Sequence, residues 1–345
     1  MSEAILEPDL PIIDPHHHLW DRRAAMTGDL PPPRHGFEAM LRMVPLYLFD
    51  ELLADMTCGH NVIGTVFMEC GAMYRADGEV AYRCVGETEF VGGVAAMSAS
   101  GIYGPSRACA AIVGHADLTL GAAAKGVLEA QIAAGNGRFR GIRHACASDP
   151  DPAVLGPLGH RPPGLYLSPK FREGFAQLAP LGMSFDAWLL EPQLGDLIDL
   201  ARAFPETTIV LDHVGTPLGI GTYAGRREER FGAWHDNIRA LAALPNVSVK
   251  VGGLAMVFPG FASHMSTPRA PSTQLAEEWR PYVEATIQAF GPKRCMFESN
   301  FPVDKGTCDY DVLWNAFKIL GAGYSADEKT ALFSDTARRV YRLDI

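Results

Sequence analysis

Eight short apolar runs, most of them separated by a helical pattern, limit the folds open to this chain more than any other feature. They lie at residues 12–14, 63–70, 90–97, 139–144, 184–189, 208–213, 247–251 and 295–298. A strand that reads as an apolar run is buried on both faces, and a strand joined to the next through a helix pairs with it in parallel. Eight such units are what a closed (β/α)8 barrel requires, and 345 residues leave room for one with insertions. The fold expected is α/β, a distorted (β/α)8 TIM barrel with long catalytic-face loops, spanning residues 1–345 as a single domain. Helical patterns at 192–204, 226–244, 273–290, 309–320 and 326–343 complete the later units. The first of these carries Leu194, Leu197, Ile198 and Leu200 on one side.

Composition narrows the partners. A 48% hydrophobic content supplies a large core, and a net charge of -10 argues against nucleic acid or an anionic membrane surface. No apolar run approaches the ~20 residues of a membrane span, and residues 1–7 lack a basic leader pattern. The location expected is cytoplasmic, the partner a small-molecule substrate, and the assembly a homodimer. Seven cysteines, at 58, 70, 84, 109, 146, 295 and 308, include no C-x-x-C pair, so they read as reduced core residues.

Barrel active sites are assembled from the carboxyl ends of the strands. Those ends supply His16 and His18, Glu69, Arg143 and His144, Asp186 and Trp188, Asp212 and His213, Lys250, and finally Glu298 and Asn300. This is a high density of polar groups for strands that must otherwise be buried. Alternation along a strand aims His16 and His18 together and His17 away. The same parity sets Asp212 against His213, which makes Asp212 a supporting carboxylate, and lets only one of Arg143 and His144 face the axis. Three long Pro- and Gly-rich segments, 19–46, 147–168 and 252–272, each follow a predicted strand and belong on the catalytic face.

The D-x-H-x-H of Asp14, His16 and His18, the turn Leu211-Asp-His-Val-Gly-Thr-Pro217 and the ending Phe297-Glu-Ser-Asn-Phe-Pro302 together resemble the amidohydrolase superfamily. The branch it is most similar to is the amidohydrolase-2 group, which includes sugar-acid lactonases and pyrone-dicarboxylate lactone hydrolases. The resemblance runs from Ile13 to the C-terminal helix. It implies a distorted TIM barrel with one active site, in which His16, His18 and His213 match the histidines of the first and sixth strands. In metal-dependent members those histidines hold one divalent ion, often zinc; in some lactonases the same pocket works without metal. Three imidazoles suit either a zinc site with an open position or direct polarisation of a carbonyl.

The eighth strand departs from the family. Relatives usually read Gly-Ser-Asp-Trp-Pro there, with the Asp activating water, whereas this chain has Glu298-Ser-Asn300-Phe-Pro302. A carboxamide is not basic, so Asn300 cannot take the proton. Glu298, two residues earlier and on the same face, or Asp304 just beyond, is the expected replacement. Glu298 reads equally as a structural partner of Arg143 or Lys250.

Arg143 and Lys250 bring positive charge to an acidic protein, and Arg suits bidentate recognition of a carboxylate. With Glu69, His144, Asp186 and Trp188 they are the expected substrate contacts, although Lys250 also fits a barrel-filling salt bridge. The reaction expected is hydrolysis of a lactone, or a related ester or amide, of a small organic acid. Two other readings stay open: metal-dependent nonoxidative decarboxylation of an aromatic acid, and a noncatalytic barrel that binds a metabolite.

Overall fold

In the computed structural model, which describes residues 3–28, 30–159 and 161–345, eight strands pair in sequence order, each parallel to the next. They are β1 (Ile12–His17), β2 (Val62–Met68), β3 (Arg107–Gly114), β4 (Phe139–Arg143), β5 (Ser184–Ala187), β6 (Ile209–Leu211), β7 (Val247–Val251) and β8 (Cys295–Phe297). The ring closes where the ladder is thinnest. Beyond β8, Asn300 N–H donates to His16 O at 2.9 Å and His18 N–H to Phe301 O at 2.7 Å. The molecule is thus the expected TIM barrel.

One predicted strand is a helix. Residues 90–97 lie inside Val85–Ala99, whose buried positions Glu87, Thr88, Val91, Val94, Ala95 and Ser98 recur at helical spacing. The run Phe90-Val-Gly-Gly-Val-Ala-Ala-Met97 is apolar on every side, so its composition hides that period, and short apolar runs fit either structure. The third strand is instead β3, eight residues of mostly small side chains. The remaining predicted strands coincide with observed ones, and the helices Leu194–Ala203, Arg227–Ala242, Ser272–Phe290 and Tyr310–Leu320 sit where their patterns placed them. The last pattern, 326–343, is interrupted by a π turn at Ala331–Asp335.

Two packing layers position the site. At the amino ends of the strands, Ile13, Val66, Val210 and Met296 inside the barrel pack with Ala337, Val340 and Tyr341 of the chain end, which plugs that mouth. At the carboxyl ends, the three long segments pack on one another. Trp20 and Met40 come from the first, Val154 and Leu155 from the second, and Met256 and Phe258 from the third. They are not structureless, since Gly36–Met43 and Pro152–Leu155 are helical. Their mutual burial makes the roof of a cavity over the barrel mouth.

Candidate active site

Asp14, although part of the histidine motif, is a clasp. Its carboxylate accepts from the N–H groups of His16 (3.2 Å) and Ser299 (3.0 Å), and from the hydroxyls of Ser299 (2.5 Å) and Tyr310 (3.0 Å), which ties β1 to the chain after β8. Burial raises its pKa to about 6 despite these donors. The clasp sets the direction of the histidines that follow.

His16 and His18 face the barrel together, with ring centroids 5.0 Å apart, and His213 meets His16 at 4.6 Å. His17 turns the other way, with Nε2 2.8 Å from Thr65 Oγ1. His18 Nδ1 is 2.8 Å from Met68 O, and His213 Nδ1 is 2.7 Å from Glu298 Oε1. A carbonyl and a carboxylate only accept, so both Nδ1 atoms carry a proton. Burial lowers the pKa of His18 well below its ordinary value, so its ring is neutral. His16 is held from both sides, Nδ1 lying 2.8 Å from Glu298 Oε2 and 3.2 Å from Lys250 Nζ, and Nε2 lying 3.4 Å from Arg143 Nη1.

Glu298 therefore bridges two histidines. Burial pushes its carboxyl upward, but His213 and His16 outweigh that and hold it down at about 2. The backbone makes room for it: a Cβ on Gly252 would lie 2.4 Å from Glu298 Cγ, and one on Gly253 would lie 2.5 Å from the His213 ring. His213 and Val214 themselves take left-handed backbone angles, φ 55° and 48°. For a β-branched valine this is an outlier, the kind of strain that surrounding structure must enforce.

The same turn explains Asp212. Since β6 ends at Leu211, strand alternation no longer applies, and both Asp212 and His213 reach inward. Asp212 lies 3.1 Å from Lys250, 3.5 Å from Arg143 and 3.7 Å from His16. Burial pushes its carboxyl up, and Lys250 with His16 overcomes this, leaving it well below the usual range. Lys250 stays charged because Asp186 (2.7 Å), Asp212 and Glu298 outweigh its burial.

A cavity of about 470 Å³ opens above this network. His18, Glu69, Arg143, His144, Trp188, His213 and Asn300 line it. His16 and Glu298 lie beneath, touching it through their partners. Asp186 and Lys250 do not line the cavity, which corrects their reading as substrate contacts. They form a fully buried ion pair in the barrel, with the Tyr341 hydroxyl also bonded to Asp186. Asp304 is likewise off the cavity. Its Oδ1 accepts from Asn300 Nδ2 at 2.9 Å, and burial raises its pKa well above the carboxylate range, so it is an amide-orienting acid and not the proton acceptor considered for it. Between Arg143 and His144, the arginine faces the axis. It bonds Glu69 Oε1 at 2.8 Å and also the Glu69 backbone carbonyl, while His144 Nδ1 accepts from Leu118 N–H at 3.3 Å at the cavity edge.

Arg22, His115 and Arg161 also line the cavity and escaped the sequence reading. His115 directly follows β3, the misassigned strand, and a correct third strand would have found it. The two arginines lie in long loops, where no strand end points to them.

His16, His213 and Glu298 each bring a potential ligand atom within 4.8 Å of the others. Among the described residues, this is the cluster with that property, and His18 lies outside it. Around it, Lys250 and Arg143 face four carboxylates, Glu69, Asp186, Asp212 and Glu298, leaving a surplus of two formal negative charges. Glu298 Oε2 and Asp212 Oδ1 are buried without an aligned hydrogen-bond donor. The residues thus fit a divalent ion in both donor chemistry and charge.

The sequence profile of the amidohydrolase family matches residues 13–343. The chain belongs to that family. This amidohydrolase is 33% identical over 339 residues to the protein y4mH of Sinorhizobium fredii, covering 97% of this chain and 99% of that one. It is 29% identical over 235 residues to an L-fucono-1,5-lactonase of Burkholderia multivorans, covering 68% of this chain and 72% of the lactonase. Among solved structures, an amidohydrolase from Burkholderia multivorans with bound zinc superposes with a TM-score of 0.71 at 26% identity, over 96% of this chain and 99% of that one. The amidohydrolase chain is accordingly an enzyme.

Proposed function

We propose that this amidohydrolase opens a lactone, or a related ester, of a small organic acid, with His213 and Glu298 acting as a base dyad. The observation that carries this reading is the 2.7 Å bond between His213 Nδ1 and Glu298 on a histidine that lines the cavity. Glu298 fixes the tautomer and stabilises the imidazolium, so His213 Nε2 takes the proton from an attacking water. A carboxyl held at about 2 is itself too weak a base at neutral pH, which moves the proton-accepting role from Glu298 to its partner.

The carbonyl needs donors, and the Nε2 atoms of His18 and His213 are acceptors. Polarisation therefore falls to Arg143 and Asn300. Arg143 has five N–H bonds, of which four meet Glu69 Oε1, Glu69 O, His16 and Asp212, leaving one on Nη2. Asn300 Nδ2 gives one N–H to Asp304 and keeps a second. Such preset donors are worth a few kcal/mol when aimed at developing oxyanion charge, in the order of 10²–10³ in rate for each. Asn300 thus changes from a lost base into an oxyanion donor.

The two-charge surplus favours a second use of the same cluster. When bound by His16, His213 and Glu298, a divalent ion such as zinc would supply Lewis acidity and a more acidic water. It would occupy the lone pairs of the dyad, so the two uses are alternatives. Metal content of the purified protein, with turnover before and after chelation, separates them: undiminished turnover of metal-free protein supports the dyad, and strict dependence on restored zinc supports the ion. Acid release in a pH-stat over a lactone panel tests the reaction itself, and gas evolution from aromatic acids instead would overturn it.

A further inference from the structure

We propose that the substrate carries a free carboxylate besides the carbonyl that is opened, and that Arg22 and Arg161 read it. The reaction rests on the lactonase reading, while the binding does not.

The charge of the cavity wall carries the argument. Three arginines and one glutamate line it, in a chain whose overall charge is -10. Arg143 is neutralised by Glu69 at 2.8 Å and Asp212 at 3.5 Å, so the anion recognition expected of it at the sequence level is already used inside the protein. Arg22 and Arg161 have no carboxylate partner among the described residues. The Arg22 guanidinium lies 5.0 Å from the Trp20 ring centre, gives one N–H to Cys70 O at 3.2 Å, and has a buried Nε with no acceptor. A buried guanidinium N–H left without an acceptor costs free energy unless a ligand completes it. The cation–π contact with Trp20 restrains the guanidinium before any ligand arrives, which suits a carboxylate.

Arg161 comes from a different loop, anchored by its N–H to Ala147 O at 3.1 Å, and stands exposed at the same cavity. The first and second long loops therefore each deliver one unpaired cation, while Trp20, Trp188, Met256 and Leu158 supply apolar wall. A small ring with an acidic substituent matches that lining. A neutral sugar lactone would leave two cations unanswered.

The test pairs a γ-lactone bearing a ring carboxylate with the matching carboxamide, measuring kcat and KM, and titrates glutarate against its neutral diamide by calorimetry, which needs no turnover. The expected preference for the carboxylate member is about tenfold or more in both assays, the scale of a charge-assisted fork. Arg22→Gln and Arg161→Gln should each erode it, in KM and in the glutarate Kd, with Arg22→Lys intermediate. Arg161 is exposed, so its variant keeps the fold and remains informative if Arg22→Gln does not. Equal affinity for glutarate and its diamide, no binding of either, or unchanged preference in both variants overturns the proposal. A glutarate preference without lactone hydrolysis leaves the anion site standing and removes the reaction.

Discussion

Glu298 is the residue on which the proposed chemistry turns, since it orients His213, contacts His16 and fills space left by Gly252. Replacing it by Gln keeps the volume and removes the charge that stabilises an imidazolium. The expected result is a kcat lower by about 10²–10⁴, with the fold retained on circular dichroism. Asp304→Asn, by contrast, should stay near wild-type turnover, because an asparagine keeps the Oδ1 acceptor that orients Asn300 and the position lies off the cavity. Steady-state kinetics of the two variants checks both statements. At this scale the sequence was informative wherever a strand persists. His16 and His18 share a face and His17 does not, as alternation requires. Alternation failed at Asp212 because β6 stops at Leu211 and His213 adopts a left-handed angle, and no periodicity encodes that turn. Asp186 and Lys250 were found as inward residues, but sequence does not give depth below the cavity floor.

Among the elements, the turn after β7 and the clasp between β1 and β8 are both buried against the site. Gly253 has φ 65°, and a side chain there would strike His213. Gly253→Ala should therefore cost about 1–3 kcal/mol of stability and most of the activity, read by thermal unfolding and turnover together. The Asp14 clasp has a pH signature. Its folded pKa, raised by burial to about 6 from 3.8, favours the protonated folded state. Its contribution to stability is complete below about pH 4 and is lost as pH rises through 6, a span of about 3 kcal/mol. Asp14→Asn should flatten that part of the stability profile, as denaturant titrations at stepped pH would show. The third strand shows why an element goes unread. Phe90 to Met97 is apolar all round and rich in small residues, so neither period stands out, and β3 was passed over together with His115 beside it.

In the whole molecule, the buried charges form one system from the plugged mouth of the barrel to the cavity. Tyr341 holds Asp186, Asp186 and Asp212 hold Lys250, and Asp212 reaches Arg143 and His16. Lys250→Met would leave Asp186 without a cation and Asp212 with Arg143 alone. Its expected cost is about 3–5 kcal/mol, seen as a lowered unfolding temperature, and Asp186→Asn in the same chain should recover part of it. The barrel itself was legible because seven of its eight strands and the inward polar strand ends are properties of local pattern. The roof was legible only as three long segments, since the packing of Met40, Val154 and Phe258 in one cluster joins loops far apart in sequence. The central claim, that these pieces make a lactone hydrolase driven by His213 and Glu298, meets its most direct test in pH-stat turnover of the carboxylate-bearing γ-lactone by wild type and Glu298→Gln. The account predicts one equivalent of acid per ring opened and a loss of at least about a hundredfold in the variant; acid release undiminished in Glu298→Gln, or none from the wild type, contradicts it.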